Sequence, residues 1–170
     1  MKHIILASAS PRRKEILELA DLKFDVMPSD AQEITTKTAP NEVVMELASI
    51  KAKDIYKKSE KQSMVVGADT VVAYQGQILG KPADEADAKR MLTMLSGQTH
   101  EVYTGVCVNR SMEKQKHFMK KQKLHFMRSV MSRSIVISRL ENLWIRLDLM
   151  GFKEKQLSLS KGSKEITTML

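Results

Sequence analysis

Two hydrophobic periods alternate along the first two thirds of the chain, and each change of period marks an element. Lys2–Ala7 carries a short apolar run that reads as a buried strand. Pro11–Leu19 follows as a helix, with Ser10 at the N-cap and Pro11 at the first helical position, where a missing N–H costs nothing. Phe24–Met27 reads as a second strand and Ser29–Pro40 as a polar loop rich in Thr and acidic residues. A long helix is expected from about Asn41 to Lys58, because Val44, Leu47, Ala48 and Ile55 are spaced for one buried face, and Lys51 falls on the same stripe. Met64–Val66 is a short apolar strand that runs into Gly67-Ala68-Asp69-Thr70 and then Val71-Val72-Ala73-Tyr74. Gln75-Gly76-Gln77 turns the chain, and Ile78-Leu79 pairs back as a hairpin. Asp84–Leu95 is a helix stopped by Ser96-Gly97, and Glu101–Val108 alternates as a strand. From His117 to Arg146 neither period persists, and Gly and Pro are both absent between Gly105 and Gly151.

The mixed order of strands and helices predicts one α/β unit, and 170 residues fit one domain or one domain with two lobes. No apolar run approaches the ~20 residues of a membrane span, and the apolar stretch at Ile4–Ala7 is shorter than the ~7–15 residues of a signal-peptide core. The expected location is the cytoplasm. Cys107 is the single cysteine, so it reads as a small buried hydrophobe rather than part of a disulfide or metal cluster. The formal net charge of +8 suggests a nucleic-acid or anionic partner until its distribution is considered. Residues 1–116 carry net +1, whereas residues 117–170 carry net +7. All four prolines and five of the seven glycines also precede residue 117, so the chain changes character there.

Candidate chemistry concentrates in the first part. Ala7-Ser8-Ala9-Ser10-Pro11-Arg12-Arg13-Lys14-Glu15 ends an apolar run, opens a helix and places two guanidinium groups at its mouth. A helix N-terminus attracts anions, and arginine forks match phosphate oxygens. The segment also reads as an ordinary capped helix with a solvated basic turn, but cations at an N-terminus oppose the helix dipole, which suggests a compensating anion. Asp69, at the end of a buried strand, is placed to hold a divalent metal or an attacking water at the edge of a sheet, or else to cap a turn. Lys81, between Gly80 and Pro82, is either a phosphate contact or a solvated loop lysine, and Glu33 either a second metal ligand or a surface acid. Lys51 reads as a snorkelling lysine, and His100 as a structural hydrogen-bonder or a general base. The chain has no P-loop motif, no paired cysteines and no Gly-x-Ser-x-Gly, which argues against a P-loop NTPase, a zinc site and an α/β-hydrolase.

Taken together and in order, the Ala7–Glu15 segment, Leu47-Ala48-x-x-Lys51-Ala52, Gly67-Ala68-Asp69-Thr70, Gly80-Lys81-Pro82 and Leu95-Ser96-Gly97-x-x-His100-x-Val102-Tyr103-Thr104-Gly105-Val106 resemble the Maf family of nucleoside-triphosphate pyrophosphatases. The resemblance implies an α/β fold like that of inosine triphosphate pyrophosphatases: an elongated mixed β-sheet flanked by helices, in two lobes with a central cleft. It implies hydrolysis of a nucleoside triphosphate to the monophosphate and pyrophosphate with a divalent cation, Mg or Mn. Asp69 matches the catalytic acid of the family and, with Glu33, the metal side. Arg12, Arg13, Lys51 and Lys81 match basic groups that hold the triphosphate, and Ser8 is counted with them as substrate-binding. Thr70 resembles the branch acting on dTTP and UTP, and Arg12 and Thr70 match positions tied to that choice. The implied partner is the nucleotide, with no membrane and no nucleic acid; a homodimer is left open. The alternatives are a basic nucleic-acid-binding protein and a nucleotide-binding remnant without catalysis.

The resemblance breaks after Val108. The family pattern continues with a D-K-A-G-x-Y-G-I-Q-G segment that this chain does not show as written. Bases that encode Leu140–Lys155, read from the third base of the Leu140 codon, can spell G-E-P-M-D-K-A-G-S-Y-G-I-Q-G-K. Phe118–Arg128 and Lys164–Leu170 can also yield family-like segments in the same displaced frame. A frame shift between about Val108 and Phe118 is therefore expected, which divides the chain into a Maf-like region, 1–108, and an out-of-frame tail, 109–170. On this reading the basic tail says nothing about partners, the activity of the chain is impaired, and apolar faces of the first region are left uncovered.

Overall fold

A computed structural model of the chain describes residues 3–60, 63–111 and 114–125. The chain divides into two compact units: the first runs to Gly80 and resumes over Glu101–Lys123, and the second begins at Lys81. In chain order the elements are β1 (Ile4–Leu6), α1 (Pro11–Leu19), β2 (Phe24–Val26), α2 (Pro40–Lys58), β3 (Met64–Tyr74), β4 (Gln77–Leu79), α3 (Glu85–Leu95), β5 (Thr99–Asn109) and β6 (Gln115–His125). The described strands form one mixed sheet in the order β2-β1-β3-β5-β6, with β4 paired to β3. β1 runs parallel to both β2 and β3, whereas β5 and β4 run antiparallel to β3. The mixed α/β sheet with helices is the class that the sequence pattern predicts.

α2 presents Val43, Val44, Leu47, Ala48, Ala52 and Ile55 to the core, which includes the predicted face. Ile5, Ala7, Ala48, Ala52, Ile55, Val65 and Cys107 make one buried cluster. Two glycines set how closely α2 lies on the sheet. A Cβ at Gly67 would stand 2.3 Å from the Ala48 carbonyl oxygen, and one at Gly105 would stand 2.5 Å from that of Val44. Any side chain at either position would push the helix off the strands. Cys107 is buried as expected, and burial pushes its thiol pKa up, away from reactivity.

Three expectations change. Gly67-Ala68-Asp69-Thr70 does not end a strand: β3 runs unbroken for 11 residues, because the helix above requires a glycine and the long β5 partner keeps the ladder intact. Ser10 holds the N-cap position of α1, but its side chain caps nothing. The stretch beginning at His117, which shows no clear period, contains most of β6. That strand buries neither face, so burial leaves no alternation to read; Phe118 is 41% and Met119 42% exposed. The remainder of the tail, including the segments at Leu140–Lys155 and Lys164–Leu170, lies outside the described residues. α1 has the predicted bounds but buries no side chain, and Ile16, Leu19, Val26, Met27 and Ile34 are exposed.

In the second unit, Asp84 caps α3 by accepting a hydrogen bond from the Asp87 backbone N–H at 2.8 Å. His100, at the start of β5, is buried, and burial lowers its pKa.

Candidate active site

The sheet register creates an open edge. β1 pairs with β3 no further than Leu6 opposite Val66, and the Ala7 N–H closes the ladder on the Val66 carbonyl at 2.8 Å. β4 joins that strand at Val72. Between these points Gly67–Val71 pair with β5 alone among the described strands. Asp69 and Thr70 sit in this gap, and strand alternation sends their side chains to opposite faces. The chain leaving β1 passes the same place, outside the carboxyl end of a parallel strand, where open α/β sheets take their ligands.

On the α2 face, Lys51 Nζ donates to Asp69 Oδ1 at 2.6 Å and lies 3.1 Å from Glu33 Oε1. The Asp69 and Lys51 side chains are 10% and 13% exposed, that of Glu33 53%. Burial pushes the Asp69 carboxyl pKa up, against the hydrogen bond and charge of Lys51 and the charge of Arg13; the negative Glu33 adds to the rise. The result is a carboxylate more basic than usual beside a fixed cation.

On the other face, Arg13 Nη1 donates to Ser8 Oγ at 2.9 Å, and its Nη2 lies 3.5 Å from Thr70 Oγ1. Ser8 Oγ also accepts from the Ser10 backbone N–H at 3.3 Å, so Ser8 does the local bracing that the sequence assigns to Ser10. Arg12, also in the first turn of α1, is 20% exposed at its side chain and lies 3.8 Å from Glu15. The arrangement therefore joins a buried acid with its lysine on one face to Arg13, from the mouth of α1, on the other, across a strand edge left unpaired among the described strands.

The profile of the family described as Maf-like protein matches residues 3–137. The chain belongs to the Maf-like family. A dTTP/UTP pyrophosphatase of Lachnoclostridium phytofermentans is 56% identical over 108 residues, which cover 64% of this chain and 55% of that protein. One of Bacillus mycoides is 53% identical over 109 residues, covering 64% and 56%. The chain thus spans about half the length of the curated relatives it matches. The Staphylococcus aureus Ham1 protein superposes with a TM-score of 0.54 at 14% identity, covering 91% of this chain and all of that one. A HAM1 protein from Coxiella burnetii gives 0.51 at 17% identity, covering 76% and 75%. These two share the fold. The Maf-like match reaches about twenty residues past Phe118, beyond the expected frame break.

Seven of the eight sequence-derived site residues, Ser8, Arg12, Arg13, Glu33, Lys51, Asp69 and Thr70, lie in the first unit of this Maf-like chain. Lys81 opens the second unit and is exposed. Lys51 does not snorkel to solvent as its stripe position suggests, because two carboxylates hold it in. Sequence reasoning missed what brings Glu33 there. The loop before α2 is pinned at one end by Ser29, whose Oγ donates to Asp54 at 2.7 Å, and by Lys58, which pairs with Asp30 and Asp54. Thr35 bonds Glu46 nearer the start of the helix, so Glu33 is held over Lys51 between the two anchors. Asp54 and Lys58, spaced i,i+4 on α2, carried a faint signal; Thr104, which bonds Thr70 at 3.2 Å, carried one in its cross-strand register.

Among the described residues no three His, Cys, Asp or Glu side chains gather as a metal cluster. Among the described residues, Glu33 and Asp69 bring two carboxylates to this edge, with the Lys51 ammonium between them. Such a pair suits Mg or Mn, which take one or two carboxylates and complete their shell with water and phosphate oxygens.

Proposed function

We propose that the first unit binds a nucleoside triphosphate along the open edge of β3 and supports its hydrolysis to monophosphate and pyrophosphate, with dTTP and UTP as preferred substrates. The observation that carries this reading is the Asp69–Lys51 pair at 2.6 Å on an edge whose other face holds Arg13. The name dTTP/UTP pyrophosphatase borne by relatives more than half identical supports the base preference.

In this scheme Arg12, Arg13 and the N-terminus of α1 take phosphate oxygens, which supplies the anion that two arginines at a helix mouth require. Ser8 fixes the Arg13 guanidinium, and Thr70 faces the nucleotide from the same side. Lys51 neutralises phosphate charge while holding Asp69. Asp69 takes a proton from the water that opens the α–β anhydride, a task suited to a carboxylate whose basicity burial has raised. A divalent cation, Mg or Mn, held by Glu33 and Asp69 would offset the charge that develops on the phosphate oxygens.

Residues 1–108 form the nucleotide pyrophosphatase region of this proposal and residues 109–170 an out-of-frame tail, so turnover is slow. The nucleic-acid reading loses its basis, because the charge it needs sits in that tail. No described helix is long and apolar enough to cross a membrane, and a cytoplasmic nucleotide pool is the expected substrate source.

Pyrophosphate release from dTTP, UTP and GTP with Mg2+ tests the reading. The purified chain should release pyrophosphate slowly from dTTP and UTP, and Asp69→Asn should abolish release. A rate typical of an enzyme contradicts the impairment; no release together with no dTTP binding contradicts the function.

A further inference from the structure

The Arg13 cluster extends by one hydroxyl that the proposed chemistry leaves unused. Thr104 on β5 stands opposite Thr70 in the ladder, and their Oγ1 atoms are 3.2 Å apart. Arginine has donors and no acceptor, so the Nη2 of Arg13 facing Thr70 Oγ1 calls on a lone pair of that oxygen. The Thr70 hydroxyl keeps its proton and a second lone pair for Thr104, and either hydroxyl can donate in that bond. Ser8 holds the other terminal nitrogen at 2.9 Å. The guanidinium is therefore steadied at both nitrogens, and one of its two holders depends on Thr104 for its own orientation.

We infer that Thr104 is a positioning residue for triphosphate binding: it fixes the Thr70 hydroxyl and, through it, the plane of the Arg13 guanidinium. This rests on the reading of Arg13 as a triphosphate ligand. A long side chain already held in its binding geometry loses less rotamer freedom when the anion arrives, so the effect falls on affinity.

Calorimetric titration of dTTP with Mg2+ into the full chain tests it, comparing wild type, Arg13→Ala, Thr104→Val, Thr104→Ser and the Arg13→Ala/Thr104→Val double variant, with circular dichroism as the control for folding. Thr104→Val should weaken binding about fivefold, the worth of one hydrogen bond, and Thr104→Ser should bind as wild type does. In the Arg13→Ala background Thr104→Val should cost nothing more. Thr104→Ala, which adds no bulk, repeats the comparison should the valine variant not fold. Wild-type affinity in Thr104→Val, or the same loss with and without Arg13, overturns the role of Thr104 and leaves the triphosphate site standing. No dTTP binding by wild type, or no loss in Arg13→Ala, overturns both.

Discussion

Lys51 is the residue on which the site turns, because it is largely buried and satisfies two carboxylates of unequal exposure. Removing it leaves Asp69 without its cation in a desolvated place. Lys51→Met should lower stability to urea by about 1–3 kcal/mol, and combining it with Asp69→Asn should cost less than the sum of the two single changes. Additive losses in equilibrium unfolding would show that the pair is not coupled. The sequence marked both residues but not their partnership: Lys51 was legible as part of an apolar stripe, and its ion pairs depend on a loop 18 residues before it and a strand 18 residues after it. Ser8 was legible as part of a motif, and its bracing of both Arg13 and the Ser10 backbone was not.

Among elements, the contact of α2 with β3 and β5 carries the architecture, and it depends on two glycines. Gly67→Ala places a methyl 2.3 Å from a main-chain oxygen that cannot swing aside, so α2 or β3 must move. The expected loss is about 2 kcal/mol or more, read as a lower urea midpoint, together with weaker dTTP binding because Lys51 and Asp69 move apart; an unchanged midpoint would contradict this packing. β5 adds a pH dependence through buried His100, whose folded pKa is depressed below its ordinary 6.5. Above that value both folded and unfolded forms are neutral and nothing changes. As pH falls below about 6.5 the unfolded chain takes up the proton first, so stability declines toward the folded pKa. His100→Gln should flatten that part of the stability curve, and an unchanged acid slope would rule the residue out as its source. Helix bounds were well foreseen here, α1 from its leading proline and α2 from its apolar face, although Pro40, read as the end of the loop, is the first residue of α2. The middle of β3 was misread because Gly and Asp are poor strand formers and tertiary contact overrode them.

At the scale of the whole chain, family membership extends over residues 3–137, while apolar side chains of α1, β2 and the following loop stay exposed. The proposed frame shift predicts that sequencing the gene across codons 105–120 finds a missing or extra base relative to the Maf-like pattern; the same frame throughout, with a chain of full enzymatic rate, would refute it. The order of the motifs was legible from the residues alone, although two of them, Leu47–Ala52 and Gly67–Thr70, lie inside α2 and β3 rather than at their ends. The open edge of β3 was not, because it exists only through the register of β1, β4 and β5. A triphosphate is proposed to occupy this edge between Arg13 and Lys51, and the decisive experiment is a crystal structure of the chain with α,β-methylene dTTP and Mg2+. Phosphate oxygens should lie within hydrogen-bond distance of both side chains, beside Gly67–Val71; an analogue bound elsewhere, with Lys51 still closed on Asp69 and Glu33, would rule this out.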